Sequence, residues 1–125
     1  MLSLLSSLML GCFKEPNLSI PLTAKEAKQQ RKETQKLRKQ CDRGLSESCY
    51  FLGKKYEKGI GAEQSDAWAS ALYQQACDDG LQKSCLSLGK MRSDDPIQEF
   101  ETYERSCKRG MLLACVEQSE MTRFG

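Results

Sequence analysis

Cys41-Asp-Arg-Gly-Leu-Ser-Glu-Ser-Cys49 decides the fold, because the chain repeats it thirty-six residues later as Cys77-Asp-Asp-Gly-Leu-Gln-Lys-Ser-Cys85. Nine of the fourteen positions from Cys41 to Lys54 are identical to their partners in this second copy. A third, degraded copy runs from Cys107 to Cys115. Self-similarity at a period of about 20–50 residues is typical of stacked-repeat proteins, so the sequence predicts a repeat architecture.

Each copy contains a glycine three residues after its first cysteine, at Gly44, Gly80 and Gly110. Glycine adopts the left-handed conformation that ends a helix, so each glycine predicts a helix stop. A new helix is expected after each stop, over Ser46–Lys58, Gln82–Arg92 and Met111–Arg123. The first of these carries one predicted buried stripe at three-to-four spacing, formed by Cys49, Leu52, Gly53 and Tyr56.

The intervening segments carry start signals for further helices. Thr23-Ala-Lys-Glu26 has the form of a capping box. Ser65 is the expected cap of a helix over Asp66–Asp79, and Pro96 suits the first turn of the next helix. Small residues of the Asp66–Asp79 helix would allow close helix approach, namely Ala67, Ala69, Ala71 and Ala76. Together these signals predict an all-α fold of helical hairpins about thirty-six residues long, with a cysteine pair across each glycine corner.

The first predicted helix is strongly basic. Between Ala24 and Arg43 there are eight lysines or arginines against three acidic residues, and Leu37 is the one large apolar residue. Such a helix fits a solvated cap at the end of a repeat array. The alternative is a patch that contacts acidic lipid headgroups or polyanions. The net charge of +2 for the whole chain does not indicate nucleic-acid binding.

Cysteine is abundant, with seven residues in 125. Six of them form three Cys-x7-Cys pairs, which in a small exported chain indicate a disulfide framework. Buried reduced thiols in a cytosolic protein are the alternative. A zinc site is not expected, because the chain has no histidine and lacks closely spaced Cys-x2-4-Cys knuckles.

The amino terminus predicts export. Met1–Leu10 is apolar apart from its serines, too short to span a bilayer as a helix but long enough for a signal-peptide core. Its ending, Leu8-Met-Leu-Gly-Cys12, resembles the lipobox of bacterial lipoproteins. The resemblance implies a signal peptide over residues 1–11 and diacylglycerol attached to Cys12. Phe13, in place of the Asp that retains some lipoproteins in the inner membrane, implies an outer-membrane lipoprotein facing the periplasm.

Residues 12–22 contain Pro16 and Pro21 among polar residues, which favours extended backbone and indicates a tether. Residues 23–125 are then the folded domain, a capping helix followed by about two and a half repeats.

Leu52-Gly-Lys-Lys-Tyr56-Glu-Lys-Gly59-Ile-Gly61, with Tyr73-Gln-Gln-Ala-Cys-Asp-Asp-Gly80, resembles the Sel-one-like repeat, a relative of tetratricopeptide repeats. The Cys-x7-Cys spacing resembles its cysteine-rich bacterial branch. The resemblance covers residues 37 to about 118 and implies a short disulfide-stapled solenoid with a concave groove for proteins or peptides. It also implies the disulfides Cys41–Cys49, Cys77–Cys85 and Cys107–Cys115.

We therefore expect a membrane-anchored scaffold that binds a protein or peptide partner, without a cofactor, a metal or an assigned small-molecule substrate. The candidate contact residues are Tyr50, Tyr56, Tyr73 and Tyr103, although Tyr56 and Tyr73 are expected to serve mainly in packing.

Two alternatives follow from the same residues. Members of the cysteine-rich branch are associated with β-lactam binding or slow hydrolysis, and Ser87-Leu-Gly-Lys90 has the Ser-x-x-Lys form of serine β-lactamases. The equivalent Phe51-Leu-Gly-Lys54 shows that Leu-Gly-Lys belongs to the repeat, so we assign no catalytic residue. The other alternative is binding of anionic envelope polymers through residues 25–43.

Overall fold

The computed structural model describes residues 21–124, and this part of the chain is entirely helical outside its turns. Its six helices are α1 (Ala24–Asp42), α2 (Ser46–Lys58), α3 (Asp66–Asp78), α4 (Gln82–Met91), α5 (Pro96–Lys108) and α6 (Leu112–Phe124). The all-α prediction is confirmed. The predicted signal peptide, Cys12 and all but the last two residues of the tether lie outside the described residues. Among the helices described, none combines the length and the apolar character needed to cross a membrane.

The predicted helix starts are confirmed by their hydrogen bonds. The Thr23 hydroxyl accepts from the Glu26 N–H at 3.2 Å, and the Glu26 carboxylate accepts from the Thr23 N–H at 2.8 Å. The Ser65 hydroxyl accepts from the Trp68 N–H at 3.2 Å. Pro96 begins α5 directly after the Asp95 cap. Each cap satisfies N–H groups that have no partner inside the helix.

Three corners of the same construction join α1 to α2, α3 to α4 and α5 to α6. We call the segments Cys41–Cys49, Cys77–Cys85 and Cys107–Cys115 the first, second and third corners. Their glycines have φ of 90°, 98° and 90° in turn. In the first corner the N–H of Leu45 donates to the Gln40 carbonyl at 3.1 Å, five residues back, and the other two corners repeat this bond. The turn is short, so consecutive helices pack as hairpins.

A disulfide closes each corner. The bonds join Cys41 to Cys49, Cys77 to Cys85 and Cys107 to Cys115, with Cα–Cα distances of 4.6, 4.7 and 4.6 Å. These are the pairs that the repeat resemblance implies. Three disulfides in so small a protein indicate an oxidising environment outside the cytoplasm.

Helices pack in chain order, each against the next, and α4 also contacts α6. A glycine on one helix receives a tyrosine from the next. A Cβ atom at Gly53 would lie 2.7 Å from the Tyr73 ring, and one at Gly89 would collide with the Tyr103 ring. Both tyrosines are almost fully buried. The glycine of each repeated Leu-Gly pair therefore makes room for a tyrosine ring, which occupies the space that a larger side chain would fill.

The disulfides take part in the stacking. Leu81, in the second corner, packs against the cluster that contains the first disulfide. Met111, in the third corner, packs in the same way against the second disulfide. The expectation for the small residues of α3 is half right: Ala69 and Ala76 are fully buried, whereas Ala67 and Ala71 face solvent. They lie on the outer side of α3, where helical spacing turns them away from the neighbouring helices.

Candidate functional site

A groove lies between α2 and α4. The two helices are equivalent members of successive repeats, and Lys83 of α4 joins them. Its ammonium lies 2.6 Å from the Glu47 carboxylate. The same group lies 4.6 Å from the centre of the Tyr50 ring and 5.0 Å from that of Phe51. One cation therefore holds two aromatic rings and a carboxylate of the preceding repeat in place.

Phe51 is presented rigidly at the edge of this groove. Its ring packs edge-on against Tyr50 with 5.3 Å between centroids, and Tyr50 in turn packs on the buried ring of Tyr73 at 5.7 Å. Phe51 nevertheless remains 47% exposed. An exposed aromatic side chain whose position is already fixed loses little conformational entropy on binding, which favours a role in recognition.

The groove encloses about 450 Å³. Its walls combine apolar side chains with charges of both signs, and they are formed by Tyr50, Lys54, Glu57, Asp66, Lys83, Leu86, Ser87, Lys90 and Met91. Within residues 21–124, neither Lys54 nor Lys90 forms an ion pair. The groove therefore offers two cations beside an apolar surface.

Repeat-equivalent positions line the groove on both sides. Among the five positions that differ between the first two copies, three are Glu47/Lys83, Tyr50/Leu86 and Phe51/Ser87. All three pairs lie in or beside the groove. The identical Leu52/Leu88 and Gly53/Gly89 positions are buried instead. The buried Leu-Gly pair is thus kept between the copies, and so is the groove lysine at Lys54/Lys90, whereas these three groove positions vary.

The four candidate tyrosines lie in different environments. Tyr50 lines the groove, and its role as a contact residue stays a prediction. Tyr73 is buried in packing as expected. Tyr56 is half-buried against Trp68, with 6.1 Å between their ring centroids. Tyr103 as a contact residue is wrong: it is 1% exposed, because its ring occupies the space beside Gly89.

Burial changes the acidity of the two inner tyrosines. The Tyr73 hydroxyl donates to Glu57 at 2.7 Å. Burial, and after it this hydrogen bond, raise the pKa of Tyr73 far above its ordinary value. Burial also raises the pKa of Tyr103 to about 12. Both groups therefore stay protonated at neutral pH and act as packing residues, not as acids or bases.

A second surface lies on the other side of α2, where Trp68 is 58% exposed. The Arg38 guanidinium lies 5.7 Å from the centre of the Tyr56 ring and also donates to the Tyr56 hydroxyl. Arg38, Tyr56 and Trp68 border a shallow depression of about 610 Å³ between α1 and the Gly61–Ser65 loop. This surface lacks the bridge between equivalent helices that the α2–α4 groove has.

The groove contains both polar residues of the Ser-x-x-Lys sequence. Ser87 and Lys90 both line it, but no hydrogen bond joins their side chains. No group of three or more possible metal ligands occurs in the described residues. The groove provides apolar walls and two ammonium groups without ion pairs, and the exposed Phe51 ring lies at its edge.

Sequence reasoning did not single out Phe51, Lys83 or Trp68. Phe51 and Lys83 could have been found from the differences between the two copies. A position that varies between repeats holds a residue that packing does not determine. Trp68 is the single tryptophan of the chain. Whether Trp68 is exposed depends on which helices pack against α3. The local sequence around Trp68 does not predict that packing.

No protein-family model matches this chain, and neither the curated proteins nor the solved structures contain a significant match.

Proposed function

We propose that this chain is an envelope-anchored repeat lipoprotein of the Sel-one-like kind that holds a protein or peptide partner in the α2–α4 groove. The observation that carries the proposal is Phe51, an exposed ring held by Tyr50 and Lys83 beside two lysines without ion pairs. Aromatic side chains in fixed positions are the usual anchors of protein interfaces. The partner we infer is a segment with an apolar side chain for Phe51 and Leu86 and a carboxylate for Lys54 or Lys90.

The anchor is the second part of the proposal. Cys12 follows an apolar stretch of signal-peptide length, and the disulfides fit the oxidising periplasm. The lipid on Cys12 would hold the domain at the outer membrane, facing the periplasm. Mass spectrometry of the mature protein from membranes tests this: we expect loss of residues 1–11, an acyl mass on Cys12 and three disulfides. An unprocessed amino terminus would contradict the anchor.

The groove is tested by selecting peptides from a library on the purified domain and measuring their affinity by calorimetry. We expect Phe51→Ala to weaken binding at least about tenfold, because interface anchors carry most of the binding energy. Ile97→Ala is the matched control, since Ile97 is a 71% exposed apolar residue on α5, away from the groove. Equal losses in the two variants, or no selected peptide at all, would contradict the groove.

A hydrolase is the alternative function, and one observation favours it: Ser87 and Lys90 of the Ser-x-x-Lys sequence both line the groove. Nitrocefin turnover by the wild type and by Ser87→Ala decides between the two. We expect no turnover that depends on Ser87. Turnover lost in Ser87→Ala would replace the scaffold with a β-lactamase-like hydrolase.

A further inference from the structure

The outer side of α1 carries an uninterrupted row of cations. The row, which we call the basic stripe, recurs at three-to-four spacing and consists of Lys25, Lys28, Lys32, Lys36, Lys39 and Arg43. All six residues are exposed. At 1.5 Å per residue the stripe is about 27 Å long. Helical spacing of this regularity places all six charges on one narrow side of the helix.

The stripe points away from the rest of the protein. The less exposed side of α1 is formed by Ala27, Gln30, Thr34, Leu37 and Cys41. At about 100° per residue, the centres of the two rows lie about 180° apart around the helix. The basic stripe therefore faces away from the side of α1 that packs against the rest of the protein.

No acidic residue interrupts the stripe. Of the three acids in this segment, Glu26 accepts the cap hydrogen bond from Thr23 and Glu33 pairs with Lys55 at 3.0 Å. Asp42 lies outside the arc that the stripe occupies. None of the six cations forms an ion pair or a side-chain hydrogen bond with the described residues. A helix that only faces solvent does not need all its positive charges on one side. Alternating positive and negative side chains would stabilise it more.

We infer that the basic stripe docks on an anionic phospholipid bilayer, so that α1 lies along the membrane surface. Charge complementarity selects an anionic partner, and clustered lysines near a membrane anchor bind such lipids. The choice of a bilayer over a soluble polymer rests on the proposed lipid at Cys12. Lys25 follows that cysteine by thirteen residues. An extended chain covers at most about 3.6 Å per residue, so the stripe stays within about 47 Å of the anchor.

The test measures how the oxidised chain in its proposed mature form, residues 12–125 with Cys12→Ser, partitions onto vesicles of phosphatidylcholine with and without phosphatidylglycerol. Without the acyl group, binding reports the stripe and not the anchor. One variant carries Lys28→Gln, Lys32→Gln and Lys36→Gln in the stripe. The matched control carries Lys58→Gln, Arg105→Gln and Lys108→Gln, three exposed cations on other helices outside the groove, so both variants lose the same charge.

We expect the unsubstituted chain to bind the anionic vesicles, and to bind them less at high salt. Each lysine near such a surface contributes about fivefold in partitioning, so the stripe variant loses on the order of a hundredfold and the control much less. Equal losses in both variants, or no preference for anionic vesicles, overturn the inference. Displacement from vesicles by a soluble polyanion at lower charge concentration overturns it in favour of a polymer partner. The mass of Cys12 is measured separately, so a missing anchor and a missing stripe interaction are distinguishable.

Discussion

The second and third corners have the same turn and the same disulfide but differ in their surroundings. In the second corner Cys77 and Cys85 are buried, since Met111 of the following corner packs on the disulfide. In the third corner Cys107 and Cys115 are half exposed, and neighbouring apolar residues face solvent, namely Leu112, Leu113 and Val116. The comparison shows that the disulfide of a corner is buried by residues of the next corner along the chain, and not by residues of its own corner.

The contact between a helix glycine and a tyrosine ring also depends on the next helix along the chain. Gly53 and Gly89 each receive a ring from the next helix, whereas the equivalent position in the third copy is Ser119, which is exposed. No described helix after α6 supplies a ring there. The third copy has kept its cysteines and its glycine but has lost the Leu-Gly pair, whose glycine receives a ring from the next helix in the first two copies.

Removing the disulfides gives the largest expected difference between the corners. Cys77→Ala with Cys85→Ala loses the loop constraint, worth about 2–3 kcal/mol, and leaves a cavity, so the free energy of unfolding should fall by about 3–4 kcal/mol. Cys107→Ala with Cys115→Ala should cost the constraint alone, about 2–3 kcal/mol. Urea unfolding followed by circular dichroism measures both. Equal costs would show that burial by the successor contributes nothing.

Gly89→Ala tests the ring contact. The new Cβ atom meets the Tyr103 ring, and neither the helix nor the buried ring has room to move, so we expect a loss of about 2 kcal/mol. Ser119→Ala is the matched change in the third copy and should leave the free energy of unfolding within about 0.5 kcal/mol. Thermal unfolding of the two variants measures the contrast. An unchanged Gly89→Ala protein would contradict the packing described for the repeated Leu-Gly.

The buried tyrosine makes stability depend on alkaline pH. Burial, with the nearby charges of Glu117 and Glu99, raises the pKa of Tyr103 from 10.0 to about 12. Its contribution is complete below pH 10 and is lost as pH rises towards 12, because only the unfolded chain then releases the proton. One tyrosine changes the free energy of unfolding by at most about 1.4 kcal/mol per pH unit.

Urea titrations at several pH values above 9 measure this slope. Tyr103→Phe removes the ionisable group and keeps the ring, so its slope should be shallower by about 1 kcal/mol per pH unit. Other titrating groups affect both proteins alike. Parallel pH curves for the wild type and Tyr103→Phe would contradict the assignment of Tyr103 to the interior.

A serine in the first two corners gives the smallest contrast. The Ser48 hydroxyl donates to Gln40 at 2.9 Å, but in the second corner Ala76 replaces that glutamine and the buried Ser84 hydroxyl has no partner among the described residues. Ser48→Ala should cost about 1 kcal/mol. Ser84→Ala should be neutral or stabilising by up to about 1 kcal/mol, since it removes an unsatisfied buried group. Equal losses in urea unfolding would refute this contrast.

The helices and corners were predictable because their signals are local. Gly44, Thr23 and Ser65 act within one turn of their own position, and the helix ends agree with prediction to about a residue. The burial of Tyr103 depends on Gly89 of a preceding helix and was missed. Counting from the cysteines would have found it, because Tyr73 and Tyr103 each lie four residues before the first cysteine of their corners.

The groove was less predictable than the fold. Tyr50 was identified as a tyrosine able to contact a partner, but Lys83 gains its role through neighbours thirty-two and thirty-three residues earlier, Phe51 and Tyr50. Such contacts depend on how far one repeat turns against the next. The rotation between repeats cannot be derived from one sequence. Only the positions that differ between the copies indicated which residues line the groove.

Each disulfide joins cysteines eight positions apart, and none connects one repeat to another. A bond of this kind can form as soon as its own short segment reaches an oxidising environment, without contacts from the remainder of the chain. Each hairpin can therefore be fixed covalently on its own, independently of the hairpin that later covers it.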